Sequence, residues 1–90
     1  MPPSRLIRQP DPAFAPTILR LRLEHGLTQE GFAQAAGLSI TSYRDIETGR
    51  TTPIWTTVRA LADGLGIRVS ALAVEVEREE ERRASGSGAA

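Results

Sequence analysis

Apolar residues recur along this 90-residue chain at helical rather than alternating spacing, and glycines interrupt the recurrence. Ile18 and Leu21, with Leu27 across a gap, predict a first helix over about residues 17–25, closed by Gly26. Thr28 offers an N-cap oxygen to a second helix whose inner face carries Phe32, Ala33 and Ala36 and which ends at Gly37. Ser39 caps a third, with Tyr43 and Ile46 pointing inward and Gly49 stopping it. After the polar loop RTTP, Val58, Leu61, Ala62 and Leu65 form one stripe of a fourth helix that ends at Gly66. Ser70 is the expected cap of a fifth, where Leu72 and Val76 lie one turn apart.

The run EREEERR continues that fifth helix as a solvated extension with Glu79 facing Arg82 and Arg83. The alternation VEVE leaves a short strand as the other reading, although no partner strand is visible in the rest of the chain. Pro2, Pro3, Pro10, Pro12 and Pro16 make residues 1–16 a poor helix and a poor strand, so they are expected to form a flexible arm. SGSGAA, from Ser85, has the composition of a disordered linker. The expected organisation is an arm over 1–16, an all-α five-helix domain over 17–76, and a charged helical extension with a disordered tail over 77–90.

Composition narrows the function. A chain of this length is one small domain that buries about 60 to 65% of its unfolded surface. It has no cysteine and one histidine, His25, which excludes a disulfide framework and leaves no set of zinc ligands; neither a metal nor a cofactor is expected. The start lacks the apolar core of a signal peptide and no 18 apolar residues run together, so a cytoplasmic protein without a membrane partner is expected. No phosphate-binding glycine loop and no nucleophile paired with a base appears, and Glu79, Glu80 and Glu81 read as a solvated face rather than catalytic carboxylates, so an enzyme is not expected.

Every basic side chain that carries formal charge is arginine, and the zero net charge hides a polarity. Residues 1–60 hold seven Arg against five acids (+2), and residues 61–90 hold four Arg against six acids (−2). Nucleic-acid-binding domains are commonly basic. The balance here implies modest, salt-sensitive affinity for a polyanion, and favours a dimer that doubles the contact.

Two short helices hinged at Gly37 can cross nearly at right angles only if small side chains allow close approach, and Ala33, Ala36 and Gly37 supply them. The second helix of such a pair projects outward and fits a major groove. The run Arg22, Gly26-Leu27-Thr28-Gln29-Glu30, Phe32-Ala33, Ala36-Gly37-Leu38-Ser39, Tyr43, Ile46-Glu47, Gly49, Pro53, Thr57, Leu61-Ala62 and Leu65-Gly66-Ile67 resembles the lambda-repressor and Cro family, also called the XRE type, over about residues 18–73. The resemblance implies a bacterial or phage regulator of transcription that binds double-stranded DNA as a homodimer, with the motif at 28–47 and the recognition helix at 39–48.

It also implies roles for particular residues. Ile40, Thr41, Arg44 and Asp45 fall where the family reads bases, with Ser42 at the edge. Arg44 is the strongest candidate, since a guanidinium can bond guanine O6 and N7 together. Thr28 and Gln29 at the start of the second helix, and Arg50, Thr51 and Thr52 after the third, fall at the family's backbone-contact positions. Arg22 and Glu47 match a pair that braces the recognition helix on the core.

Gly31 departs from the family's usual charged helix former, and Phe32 from a more usual leucine. Trp55 reads as an edge-of-core aromatic, or with Val74 as a dimer patch. Two other functions stay open: an antitoxin that binds its operator while its arm or acidic helix covers a toxin, and a protein-interaction module that keeps the fold without binding DNA.

Overall fold

The computed structural model describes residues 11–89, which fold as five helices with no strand among them: α1 Phe14–Glu24, α2 Gln29–Ala35, α3 Ile40–Glu47, α4 Trp55–Leu65 and α5 Val69–Ala89. The core is drawn from all five, with Ile18, Leu21, Phe32, Ala33, Ala36, Tyr43, Ile46, Leu61, Ala62, Leu65 and Leu72 buried together. The inner-face positions read from the periodicity of the second and third helices are therefore the ones that pack.

α1 begins earlier than the proline content suggests. Asp11 Oδ1 accepts from the Ala13 N–H at 2.8 Å, and Pro16 falls in the first turn, where its missing N–H would have had no partner inside the helix. Residues 14–16 are thus helix rather than arm; Pro2, Pro3 and Pro10 lie outside the described residues. Thr17, fully buried, satisfies its hydroxyl by donating to the Ala13 carbonyl at 2.6 Å.

The hinge between α2 and α3 follows the sequence closely. Gly37 adopts φ of 71°, a left-handed conformation that a side chain would strain, and the following Leu38 N–H turns back to the Ala33 carbonyl at 2.8 Å. The α2 and α4 backbones approach tightly at Gly64, where an added Cβ would sit 3.2 Å from Phe32 and 3.3 Å from the backbone of Ala35 and Ala36. That bare position makes room for the bulkier Phe32, whose ring stacks obliquely on Tyr43 with centroids 5.1 Å apart.

α5 differs from expectation at both ends. It starts at Val69, and the Leu72 N–H bonds the Arg68 carbonyl at 3.0 Å, so Ser70 lies inside the first turn and is not the cap. The VEVE segment is helical, and the helix runs on through the segment expected to be a disordered tail. Once a helix is nucleated against a core, each further residue needs only to propagate it. Glu79 supports this stretch, bridging to Arg82 at 3.0 Å and to Arg83 at 3.6 Å as its spacing suggested.

Candidate nucleic-acid interface

Side-chain caps set the two helices of the hinge. Thr28 Oγ1 accepts from the Gly31 N–H at 2.9 Å, and Ser39 Oγ accepts from the Ser42 N–H at 3.1 Å. An added Cβ on Gly31 would stand 3.0 Å from that same Thr28 oxygen, so the residue that forgoes a charged helix former leaves space for the cap. The Thr28 hydroxyl is thereby engaged with its own helix. The Ser39 hydroxyl in turn donates to Ser42 Oγ at 3.0 Å, which draws Ser42 toward the helix start.

α3 exposes Thr41, Ser42 and Arg44, and Thr48 at its C-terminal cap is exposed beside them. Thr41, Arg44, Asp45, Thr48 and Arg50 surround one shallow cleft, which brings three expected base readers beside one expected backbone contact. Ile40 differs from the expected outward position: it is half-buried and packs on the core. Being three residues before the buried Tyr43, it sits at the border of the inner face.

Asp45 is also half-buried, and its carbonyl accepts from the N–H groups of Arg50 at 2.9 Å and Thr51 at 3.3 Å. The loop after α3 is therefore tied to the helix it follows, leaving the side chains of Arg50, Thr51 and Thr52 exposed to solvent.

Beneath the face lies an ionic anchor. Glu47, with a side chain only 5% exposed, accepts from Arg22 Nε at 2.7 Å, from the Tyr43 hydroxyl at 2.8 Å and from Gln29 Nε2. Arg22 also donates from Nη1 to the Leu27 carbonyl at 2.9 Å, so α1, the start of α2 and the end of α3 meet at one carboxylate. Burial alone would push the Glu47 carboxyl up; its hydrogen bonds with Arg22, Gln29 and Tyr43 outweigh that and hold it below the usual range. Burial, reinforced by the hydrogen bond to Glu47 and then by its charge, drives the Tyr43 phenol well above its usual value. The bond to Glu47 likewise raises the Arg22 guanidinium against the opposing effect of burial.

The Arg22–Glu47 brace thus forms as expected, but Gln29 does more than the sequence indicated. Its side chain turns inward to Glu47 and accepts from Arg44 Nε at 3.3 Å, instead of reaching outward, and its helix-start N–H is what stays available for an anion. The contribution of Tyr43 was recoverable from sequence, since it stands four residues before Glu47 on the same helix. That of Gln29 was not, because it arises only when α2 packs against α3.

Trp55 is more exposed than an edge-of-core aromatic is expected to be, at 60% beside Ile54 at 70%. It borders an apolar groove with Phe14, Val58, Val69, Leu72, Ala73 and Val76. Val74 is 43% exposed and does not line that groove.

A capped pair of short helices hinged at a left-handed glycine, the second presenting a polar row above a buried ion pair, defines a helix-turn-helix domain. The family model described as "Helix-turn-helix domain" matches residues 13–78, and the chain belongs to that family. It is 40% identical over 67 residues to the immunity repressor protein of Bacillus phage phi105, a match covering 74% of this chain and 46% of that protein. The chain therefore spans less than half the length of this relative.

Among solved structures, the clp gene regulator ClgR from Corynebacterium glutamicum superposes with a TM-score of 0.78 at 20% identity, covering 88% of each chain. The wild-type restriction-modification controller protein C.Esp1396I gives 0.73 at 23% identity, covering 78% of this chain and 91% of the other. At these identities the two superpositions establish the five-helix fold.

Proposed function

We propose that this chain is a sequence-specific double-stranded DNA-binding transcriptional regulator, a repressor that acts in the cytoplasm as a homodimer. The observation that carries this is the exposed row of Thr41 and Arg44 on α3 and Thr48 at its cap, joined in one cleft by Arg50 and anchored from below by Arg22 and Glu47. A groove-reading helix needs exposed polar side chains on a helix braced against its core, and the exposure of Thr41 and Arg44 above the Arg22–Glu47 pair supports that reading. Family membership and the likeness to an immunity repressor support the same reading.

In this reading Arg44 bonds a guanine edge, Thr41 and the outer part of Ile40 pack on a thymine methyl, Asp45 accepts from a cytosine amine, and Ser42 contacts the margin. Arg50, Thr51 and Thr52 on one side, and the helix start at Thr28 and Gln29 on the other, grip the phosphates. Two subunits place their α3 helices in successive major grooves about 34 Å apart. The groove beside Trp55 is the apolar surface available for pairing. A small domain seated on its operator represses by occupying the site polymerase needs. No feature of the described residues or of these relatives favours a toxin partner.

Selection of bound duplexes from a random pool, followed by anisotropy at two salt concentrations, tests the proposal. An enriched sequence whose affinity falls steeply with salt is expected. A folded protein that enriches no sequence and shows no salt-dependent binding would instead be an interaction module on the same fold.

A further inference from the structure

A chain of side-chain hydrogen bonds runs from the core to the outer face of α3. Arg22 and Tyr43 fix Glu47, Glu47 accepts from Gln29, and Gln29 accepts from Arg44. We propose that Gln29 is a positioning residue for Arg44, holding the guanidinium by its Nε so that both terminal nitrogens face a guanine edge. The proposal rests on the reading of α3 as the DNA-reading helix and names what sets the specificity of its principal reader.

The chemistry of the amide makes the relay directional. An ionised carboxylate offers only lone pairs, so the Gln29 end facing Glu47 has to be the NH2 group. The amide oxygen is then turned outward and seeks a donor, which Arg44 Nε supplies at 3.3 Å. Five N–H donors radiate from a guanidinium in a fixed plane, and tethering the one at Nε orients the remaining four. Guanine recognition uses a parallel pair of N–H bonds to O6 and N7, which the two terminal nitrogens provide.

An arginine on an exposed helix face has many rotamers to give up on docking, and one already tethered gives up fewer. Gln29 is half-buried and its partner Glu47 is held by two other donors, so the anchored end of the relay does not depend on Arg44. The bonds to Glu47 and Arg44 use one N–H and one lone pair of the Gln29 amide, so positioning is told from phosphate grip by which duplexes a variant weakens.

The test uses the full chain, as wild type, Gln29→Ala, Gln29→Met, Arg44→Ala and the double variant Gln29→Met with Arg44→Ala. Gln29→Met preserves side-chain bulk if Gln29→Ala unfolds the start of α2. On the selected duplex and on duplexes changed one base pair at a time, Arg44→Ala should flatten preference at one position. Gln29→Met should weaken preference at that same position by about threefold to tenfold, within what one bidentate pair can supply, and leave the salt slope unchanged. The double variant should be no flatter there than Arg44→Ala alone.

The relay is overturned if Gln29→Met weakens every duplex equally, as loss of a neutral phosphate contact would. Full additivity in the double variant would also overturn it. A wild type that enriches no sequence removes the DNA-reading function itself. In that case proton exchange in the free protein still reports on the relay: Arg44 Nε–H should exchange more slowly than that of exposed Arg50 and match it in Gln29→Met, and equal rates in the wild type would reject the tether.

Discussion

Two arginine–glutamate pairs join α1 to another helix at the same 2.7 Å separation, and their surroundings set them apart. Arg22 and Glu47 have side chains 13% and 5% exposed, and Glu47 receives two further donors. Arg20 and Glu75 are 30% and 24% exposed, Arg20 is shared with Glu24, and Arg20 Nε is shielded from solvent without a partner. Distance alone would rate the two equally. Burial and complete hydrogen bonding make the first an anchor, while solvent and incomplete satisfaction leave the second a weak surface contact.

Removing one partner should expose the contrast most strongly in the inner pair. Arg22→Ala leaves the Glu47 carboxylate buried without its counter-ion and should cost about 3 to 5 kcal/mol in denaturant unfolding, much of what a small domain has. A loss no larger than that of an exposed pair would erase the distinction.

Acid should act in the same direction. Glu47 has a folded pKa held below its unfolded value of about 4.3, so its contribution is complete above that value and is lost as pH falls through the lower folded value. Thermal unfolding should therefore lose more stability between neutral and acid pH in the wild type than in Glu47→Gln. Equal slopes would mean that the carboxylate is not held below its ordinary range.

Tyr43→Phe takes away one donor while keeping the ring against Phe32, and should cost about 1.5 to 3 kcal/mol, in line with hydrogen bonds to charged groups. Glu75→Ala should give the smallest effect. The Arg20 bond lowers the Glu75 carboxyl too, but solvent and salt screen this pair, so its melting midpoint should shift by at most a few degrees and by less in high salt. A large, salt-independent shift would make the outer pair a second anchor.

The same contrast explains what could be read from the chain before its structure. α2, α3 and α4 follow from local rules, since caps at Thr28 and Ser39, glycines at 37 and 66 and one apolar stripe each decide a helix without outside help. The start of α1 and the extent of α5 were not legible. A proline in a first turn carries the same residue signal as one in an arm, and SGSGA has no helical preference apart from the helix that precedes it.

In the candidate site, the outward positions of Thr41 and Arg44 could be read from the helical wheel, and the Arg22–Glu47 brace only from the family resemblance. Ile40 was misplaced because it lies at the border of the wheel, and Gln29 because its partners come from another helix.

In the proposed function, α3 reads DNA sequence through Arg44 on a braced helix. The most direct measurement of this is the base preference of wild type and Arg44→Ala on the selected duplex and its single-position variants, at matched salt. Arg44→Ala should stay folded and lose about 1 to 3 kcal/mol of discrimination at one guanine while other positions keep theirs. A uniform loss across all positions, or none, would contradict that reading.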